Sequence, residues 1–344
     1  MTRARDVADT QDNLGGAVAP FVAGKNAIIN GGFDVWQRGT SFTIVNSNAY
    51  TADRFHVVAT GNITISRQTT GVPAGSQYCL RMTSGFTNSV ADFFQYVETA
   101  NVVPLQGKTV TYSIKMRKNA ANTSDAILVV QKSATTDAGS GASWSTISSA
   151  TVASSSLPTG TGAGDWYNAS LTLTIPNDGT ANSLRVYAST SAQIANTAYL
   201  ELAQSQVELG SVATPFARAG GSIGGELALC QRYYEKSYPT STNPGANTGN
   251  HSFVSSGQMV AATTGNLGAY TPFRVMKRAE ATVTFYDTVG NSGKCTRTVT
   301  GVSDTANQAI GLDMITTVSG IWAYSSGTTN ANTIRFHYTA EAEL

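Results

Sequence analysis

The stretch TVTYSIKMRK, Thr109 to Lys118, puts Val110, Tyr112, Ile114 and Met116 on one side of an extended chain and Thr111, Ser113, Lys115 and Arg117 on the other. Successive side chains of a strand point to opposite faces, so a period of two specifies a strand with one face in a core and one in water. The pattern recurs outward from it. ASLTLTI (169–175) carries Leu171, Leu173 and Ile175, Pro176, Asn177, Asp178 and Gly179 supply turn chemistry, and Leu184, Val186 and Ala188 resume the alternation, so the three parts read as a hairpin-like pair. AILVVQK (126–132) carries a continuous apolar run short enough for a central strand, and AYLELAQSQVELG (198–210) alternates through Leu200 and Leu202 to Val207 and Leu209. Many short strands with polar turns specify an all-β chain built as a jelly-roll β-sandwich.

After Pro239, TSTNPGANTGN reads as a linker. Beyond it ATVTFYDTV, KCTRTVT, GIWAY and TIRFHYTAEAEL alternate again, the last with Ile334, Phe336 and Tyr338 on one face. A second, smaller β domain is expected over 239–344, and 344 residues allow each domain its own core.

One segment breaks the pattern. GELALCQRYYEK (225–236) reads as a helix, with Leu227, Cys230 and Tyr234 in one apolar row, Leu229 and Tyr233 in a second, and Gln231, Arg232, Glu235 and Lys236 opposite. Glu226 suits its positive end, Lys236 its negative end, and Pro239 prevents continuation. The reading is a connecting helix within 220–238. Its two rows can pack on the helix's own domain or on copies of the chain, and Leu227, Leu229, Cys230, Tyr233 and Tyr234 are the candidate oligomer contacts.

Charge is sparse: 22 basic and 21 acidic residues leave a net +1, and charged residues are 12% of the chain. No global field recruits nucleic acid, acidic substrates or a membrane, so partners are recognised by shape and local chemistry. Cys79, Cys230 and Cys295 are odd in number and far apart, which argues against a disulfide framework or a zinc site and for reduced, partly buried thiols. MTRARDVADTQDN lacks the apolar core of a signal peptide, and no apolar run reaches the length of a membrane span. A soluble protein made in a cytoplasm is expected. Residues 1–24 show no sustained period and read as an arm that a partner would have to order.

Chemical motifs mostly fail. Gly107, Lys108 and Thr109 lack the first glycine of a phosphate loop, since Val102 stands there, and they precede a strand. GTGAGDW (160–166) has no helix after it, no GxSxG or HExxH is present, and His56, His251 and His337 are distant in sequence. Asp34, Asp53, Asp92, Glu98 and Asp165 are acid candidates by residue type alone, and a glycosidase pair need not be close in sequence. No catalytic residue and no cofactor is assigned.

Aromatic rings among amides and hydroxyls suit the apolar faces and hydroxyl rims of sugars. Trp36 and Trp166 read as core. Trp144, in GSGASWST, reads as exposed, and Trp322 and Tyr324 share the outward face of GIWAY. Trp322, Tyr324 and Trp144 are the candidate receptor-facing residues.

NAIINGGFDVWQRG (26–39), YTADRF (50–55), QVELGSVATPFARA (206–219) and GELALCQRYYEK, in that order, resemble a family of bacteriophage tail fibres and related virion structural proteins. The resemblance spans 26–236 and leaves the last third uncovered. It implies a jelly roll similar to a carbohydrate-binding module over 25–219, with Asn30, Gly31, Gly32, Phe33 and Trp36 in an opening strand. Asp53, Arg54 and Phe55 would follow the first loop, and Gln206, Glu208 and Pro215 would close the sandwich, all as scaffold. Such modules often hold a structural calcium; Asp34 is the acid in the right place, no dense ligand set accompanies it, and the metal stays unassigned. The resemblance further implies a homotrimer and a place in the virion. The leading expectation is a non-enzymatic tail fibre, anchored to a tail adaptor or hub by residues 1–24 and reaching a host-surface polysaccharide or protein with 239–344. The alternatives are a purely structural head decoration or tail adaptor and, behind it, a depolymerase tailspike.

Overall fold

The computed structural model describes residues 24–86, 89–248, 254–255, 267–298, 304–312, 318–325 and 333–344, with backbone alone at 254, 255 and 267. The expected anchoring arm, apart from Gly24, and His251 lie outside the described residues. The protein is all-β, arranged as two compact units. The first takes the chain up to Trp36, Thr40–Leu227 and Leu344, and the second takes Gln37–Gly39 and Ala228–Glu343.

The first unit holds two six-stranded antiparallel sheets. One runs β1 (Ser41–Val45), β4 (Asn62–Gln68), β5 (Cys79–Ser84), β12 (Tyr199–Leu209), β7 (Thr109–Lys118), β10 (Tyr167–Thr174). The other runs β2 (Asn48–Tyr50), β3 (His56–Thr60), β6 (Val90–Val97), β11 (Ser183–Thr190), β8 (Ala126–Ser133), β9 (Ser145–Val152). Val110, Tyr112, Ile114 and Met116 of β7 are all buried in one core with Leu128 and Val130 of β8, Leu184 and Val186 of β11, and Leu200 and Leu202 of β12. Each fully buried aliphatic side chain there contributes about 1.5–3 kcal/mol.

The run 169–190 is not a hairpin: β10 pairs with β7, whereas β11 pairs with β6 and β8 in the other sheet. The connection crosses the sandwich, and Ile175 bonds through its backbone to Gly107 and Lys108 on the way. In β12 the pairing register shifts between Ala203 and Gln206, with Gln204 at φ +54°. This bulge returns Val207 to the core after Leu200 and Leu202, and Leu209, opposite Val110 at the end of the strand, is 58% exposed.

Residues 26–36 form turns, and the first strand begins only at Ser41. Asn30, at φ +60°, holds this turn: its amide accepts from Val35 N–H at 2.9 Å and donates to the carbonyls of Val35 at 2.8 Å and Asp53 at 3.0 Å. An extended backbone could not close those bonds. Gly31 is required by packing, because a Cβ there would sit 2.0 Å from the Ser205 carbonyl oxygen.

The helix runs Ile223–Gln231, and the chain is back in a strand, β13 (Tyr234–Lys236), where the sequence suggested continued helix. The helix stops because Arg232 and Tyr233 N–H take its last carbonyls, those of Ala228 and Cys230, and the next residues pair with a strand. Glu226 is buried at the helix start, and its carboxylate accepts the backbone N–H of Asn30 and, at 2.8 Å, that of Gly220. Burial nonetheless pushes its pKa up from the ordinary carboxylate value, against the lowering effect of those two bonds.

In the second unit β21 (Thr333–Glu341) is central, flanked on one edge by β13 and β14 (Val254–Ser255) and on the other by β16 (Thr282–Tyr286) and β17 (Lys294–Thr298). β18 (Thr305–Ala309) extends the sheet beyond β17. A second sheet of three strands runs β15 (Leu267–Pro272), β20 (Gly320–Ser325), β19 (Gly311–Leu312). Ile334, Phe336 and Tyr338 share one core with Ala269, Ile321 and Ala323 from the three-stranded sheet. Inside this unit Glu235 and Lys277 form a buried ion pair at 2.7 Å, and the Glu235 carboxylate also accepts from Tyr338 Oη at 2.7 Å and from Arg274 N–H.

Candidate functional site

The three-stranded sheet of the second unit turns Ala269, Ile321 and Ala323 inward. Strand geometry then sends Gly268 and Tyr270 of β15 and Gly320, Trp322 and Tyr324 of β20 to the opposite face. Tyr270 pairs directly with Trp322, and Tyr324 has Gly268 opposite on one side and Gly311 of β19 on the other.

Each ring covers a glycine. A Cβ on Gly268 would lie 3.2 Å from Trp322 Nε1, one on Gly311 2.8 Å from the Tyr324 ring, and one on Gly320 2.7 Å from Tyr270 Oη. The missing Cβ atoms let the rings settle onto the sheet, at the cost of glycine in a strand. Tyr270 remains 54% exposed, Trp322 and Tyr324 are half-buried, and the Tyr270 and Trp322 rings lie 6.2 Å apart at 33°. An aromatic surface is thus held against backbone below and open above. Such a face offers CH–π and dispersion contacts to a flat apolar ligand surface, with Tyr hydroxyls and the indole N–H for hydrogen bonds.

Trp322 and Tyr324 are therefore brought together on one outward face. Tyr270 was missed, although GAY (268–270) repeats the glycine-x-aromatic spacing of GIW (320–322). Trp144 lies on the first unit, where it is half-buried, stacks on Tyr96 at 5.4 Å and donates its N–H to the Gly139 carbonyl at 3.2 Å. Of the oligomer candidates, Cys230, Tyr233 and Tyr234 are buried and Tyr234 belongs to β13, whereas Leu227 and Leu229 are half-buried. Trp36 is core, and Trp166 is half-buried under the Arg117 guanidinium, 4.5 Å from its ring centre.

Groups with reactive potential are occupied. Asp34, the possible calcium ligand, is paired with Arg218 at 2.7 Å, and no group of three or more His, Cys, Asp or Glu that could hold a metal occurs among the described residues. The Asp165 carboxylate accepts Gly162 N–H at 2.8 Å. His337 is buried, stacked on Tyr238 at 3.8 Å, with Ser237 Oγ 3.0 Å from Nδ1 and Thr248 Oγ1 2.9 Å from Nε2; burial lowers its pKa to about 4. The three cysteines are buried and form no disulfide, and desolvation pushes Cys79 up to about 12 and raises Cys295, which keeps both as unreactive thiols.

No protein-family model and no curated protein matches the sequence. Solved structures match in part. The enzymatically active domain of tailspike protein 4 of bacteriophage CBA120 aligns at 10% identity and TM-score 0.34, over 54% of this chain and 22% of that one. The C-terminal family 22 carbohydrate-binding module of Clostridium thermocellum Xyn10B aligns at 17% and 0.31, over 46% and 88%. The CBM22-1 xylan-binding domain of Paenibacillus barcinonensis Xyn10C aligns at 16% and 0.32, over 56% and 98%. At these identities and scores no property of those proteins transfers to this chain.

Proposed function

We propose that this chain is a non-enzymatic bacteriophage virion protein of tail-fibre type that binds a glycan on the host surface through the outer face of its second unit. The observation that carries the binding assignment is the set Tyr270, Trp322 and Tyr324, each ring seated on a glycine, Tyr270 exposed and the other two half-buried. Sugars present flat CH faces to such rings, and the low charge density of the chain suits an uncharged ligand or protein-borne glycan. The virion part rests on the four-segment sequence resemblance, and trimeric assembly and attachment through residues 1–24 belong to the same proposal. Three copies of a shallow site would convert weak contacts into avidity.

The test is binding of the labelled full chain to intact bacteria of the host strain. Wild-type protein should decorate the cells and W322A should lose most of that signal while melting at the same temperature. Undiminished binding by W322A together with Y270A would assign the aromatic face to another virion protein and favour a structural component.

A further inference from the structure

We infer that the first unit carries a second binding site, for an acidic saccharide, in a cleft of about 620 Å3 on the outer face of β12, β7 and β10. The strand alternation that buries Ile114 and Met116 turns Ser113 and Lys115 outward, and Asn168 and Ser170 of β10 stand beside them. The opposite wall is the segment from Ala213 to Phe216 with Arg218, and Gln204 also lines the cleft. The bulge in β12 delivers Gln204 to this wall, a use for which bulges are suited because they re-aim a side chain without ending the strand.

The chemistry of the lining selects the ligand. Lys115 Nζ donates to its cross-strand neighbour Asn168 Oδ1 at 2.5 Å, and no carboxylate pairs with it among the described residues. Arg218 is different: its Nε and one terminal nitrogen are bound by Asp34 at 2.7 and 3.3 Å, so that charge is already balanced. The cleft therefore keeps one uncompensated positive charge. Around it Gln204 spends its N–H groups on Ala74 O and Ser76 Oγ, both at 2.9 Å, and retains a carbonyl oxygen as acceptor. Ser113 and Ser170 add hydroxyls, the Thr214 hydroxyl is already engaged by Glu208 and Lys25, and the half-buried Phe216 ring with Pro215 adds an apolar wall. A carboxylate on a ring bearing several hydroxyls and an apolar face matches this set, and the volume falls in the range of small-ligand sites. Gly32 supports the wall, because a Cβ there would meet the Asp34 carboxylate at 2.6 Å and the Phe216 ring at 3.4 Å.

This site is independent of the aromatic face of the second unit, and its test keeps the two apart. The full chain is titrated by calorimetry with galacturonate, glucuronate and sialate oligosaccharides, and with their methyl esters as uncharged controls. At least one acid should bind saturably, its ester about tenfold or more weaker, with affinity falling as salt rises, as loss of one charged hydrogen bond requires. K115Q and N168A should each lower the affinity of that acid, K115Q by about tenfold, with unchanged melting temperature, and W322A should leave it intact. Failure of every acid to bind at millimolar concentration, equal binding of acid and ester, or wild-type affinity in both K115Q and N168A would overturn the assignment. Equal competition by inorganic phosphate would overturn the saccharide part of it.

Discussion

The indole of Trp322 covers Gly268 on the neighbouring strand, so closely that a Cβ on the glycine would stand 3.2 Å from Nε1 and 3.5 Å from two further ring atoms. The glycine is what allows the ring to lie on the sheet. G268A should lift the indole, shift its fluorescence and weaken glycan binding, with less than about 1.5 kcal/mol change in stability, because the residue faces away from the core. A melt that collapses in G268A, with binding per folded molecule unchanged, would show the contact to be structural support for the strand.

Gly31 and Gly179 differ in a way that the sequence does not reveal. A Cβ at Gly31 would overlap the Ser205 carbonyl oxygen at 2.0 Å, whereas Gly179, at φ +78°, has open space around it. G31A should cost more than about 4 kcal/mol or prevent folding of the first unit. G179A should cost about 1 kcal/mol, the penalty of a left-handed backbone alone. Denaturant melts of the two variants compare them directly.

Lys277 and Glu235 are fully buried together, and Tyr338 Oη also donates to that carboxylate. K277M should leave the Glu235 charge uncompensated and destabilise the second unit by about 3–5 kcal/mol. The double variant K277M/E235Q should recover part of the loss, since the cost lies in the unpaired charge more than in the missing attraction. Chemical denaturation of the single and double variants decides the point.

His337 gives the second unit an acid sensitivity. Its pKa is about 4 in the fold against an ordinary value near 6.5, so the unfolded chain binds the proton more readily across that window. Stability therefore falls as pH drops from about 6.5 to about 4 and this contribution levels off below, a loss on the order of 3 kcal/mol. Urea midpoints measured across that window should lose this slope in H337N, whatever that variant's stability at pH 7.

Much of the fold was legible because burial imposes period two directly. Val110 to Met116 and Ile334 to Tyr338 face their cores as read. The register of β12 was also legible in part, since its apolar residues change from even positions, Leu200 and Leu202, to an odd one, Val207, and only a bulge reconciles the two. What alternation does not encode is partner choice: β10 and β11 have strand patterns and a turn sequence between them, yet pair in different sheets. The helix was overextended because Tyr233 to Lys236 satisfy a helical wheel as well as a short strand, and only β21, a hundred residues later, decides between them. The outward face of GIWAY was readable from parity. The role of Gly268, Gly311 and Gly320 was not, since it arises from side chains crossing to neighbouring strands, and the cleft around Lys115 draws its walls from segments far apart in sequence.

Sugar binding by the face formed by Tyr270, Trp322 and Tyr324 underlies the proposed function. The most direct measurement is saturation-transfer NMR and fluorescence titration of the full chain against polysaccharide purified from the host surface, comparing wild type, W322A and K115Q. Binding should be saturable with transfer to sugar ring protons, its affinity reduced about tenfold or more in W322A, with a residual signal in W322A only where the polysaccharide is acidic and K115Q removes it. Binding that is equally strong in W322A and in the Y270A/W322A double variant would contradict sugar binding by that face.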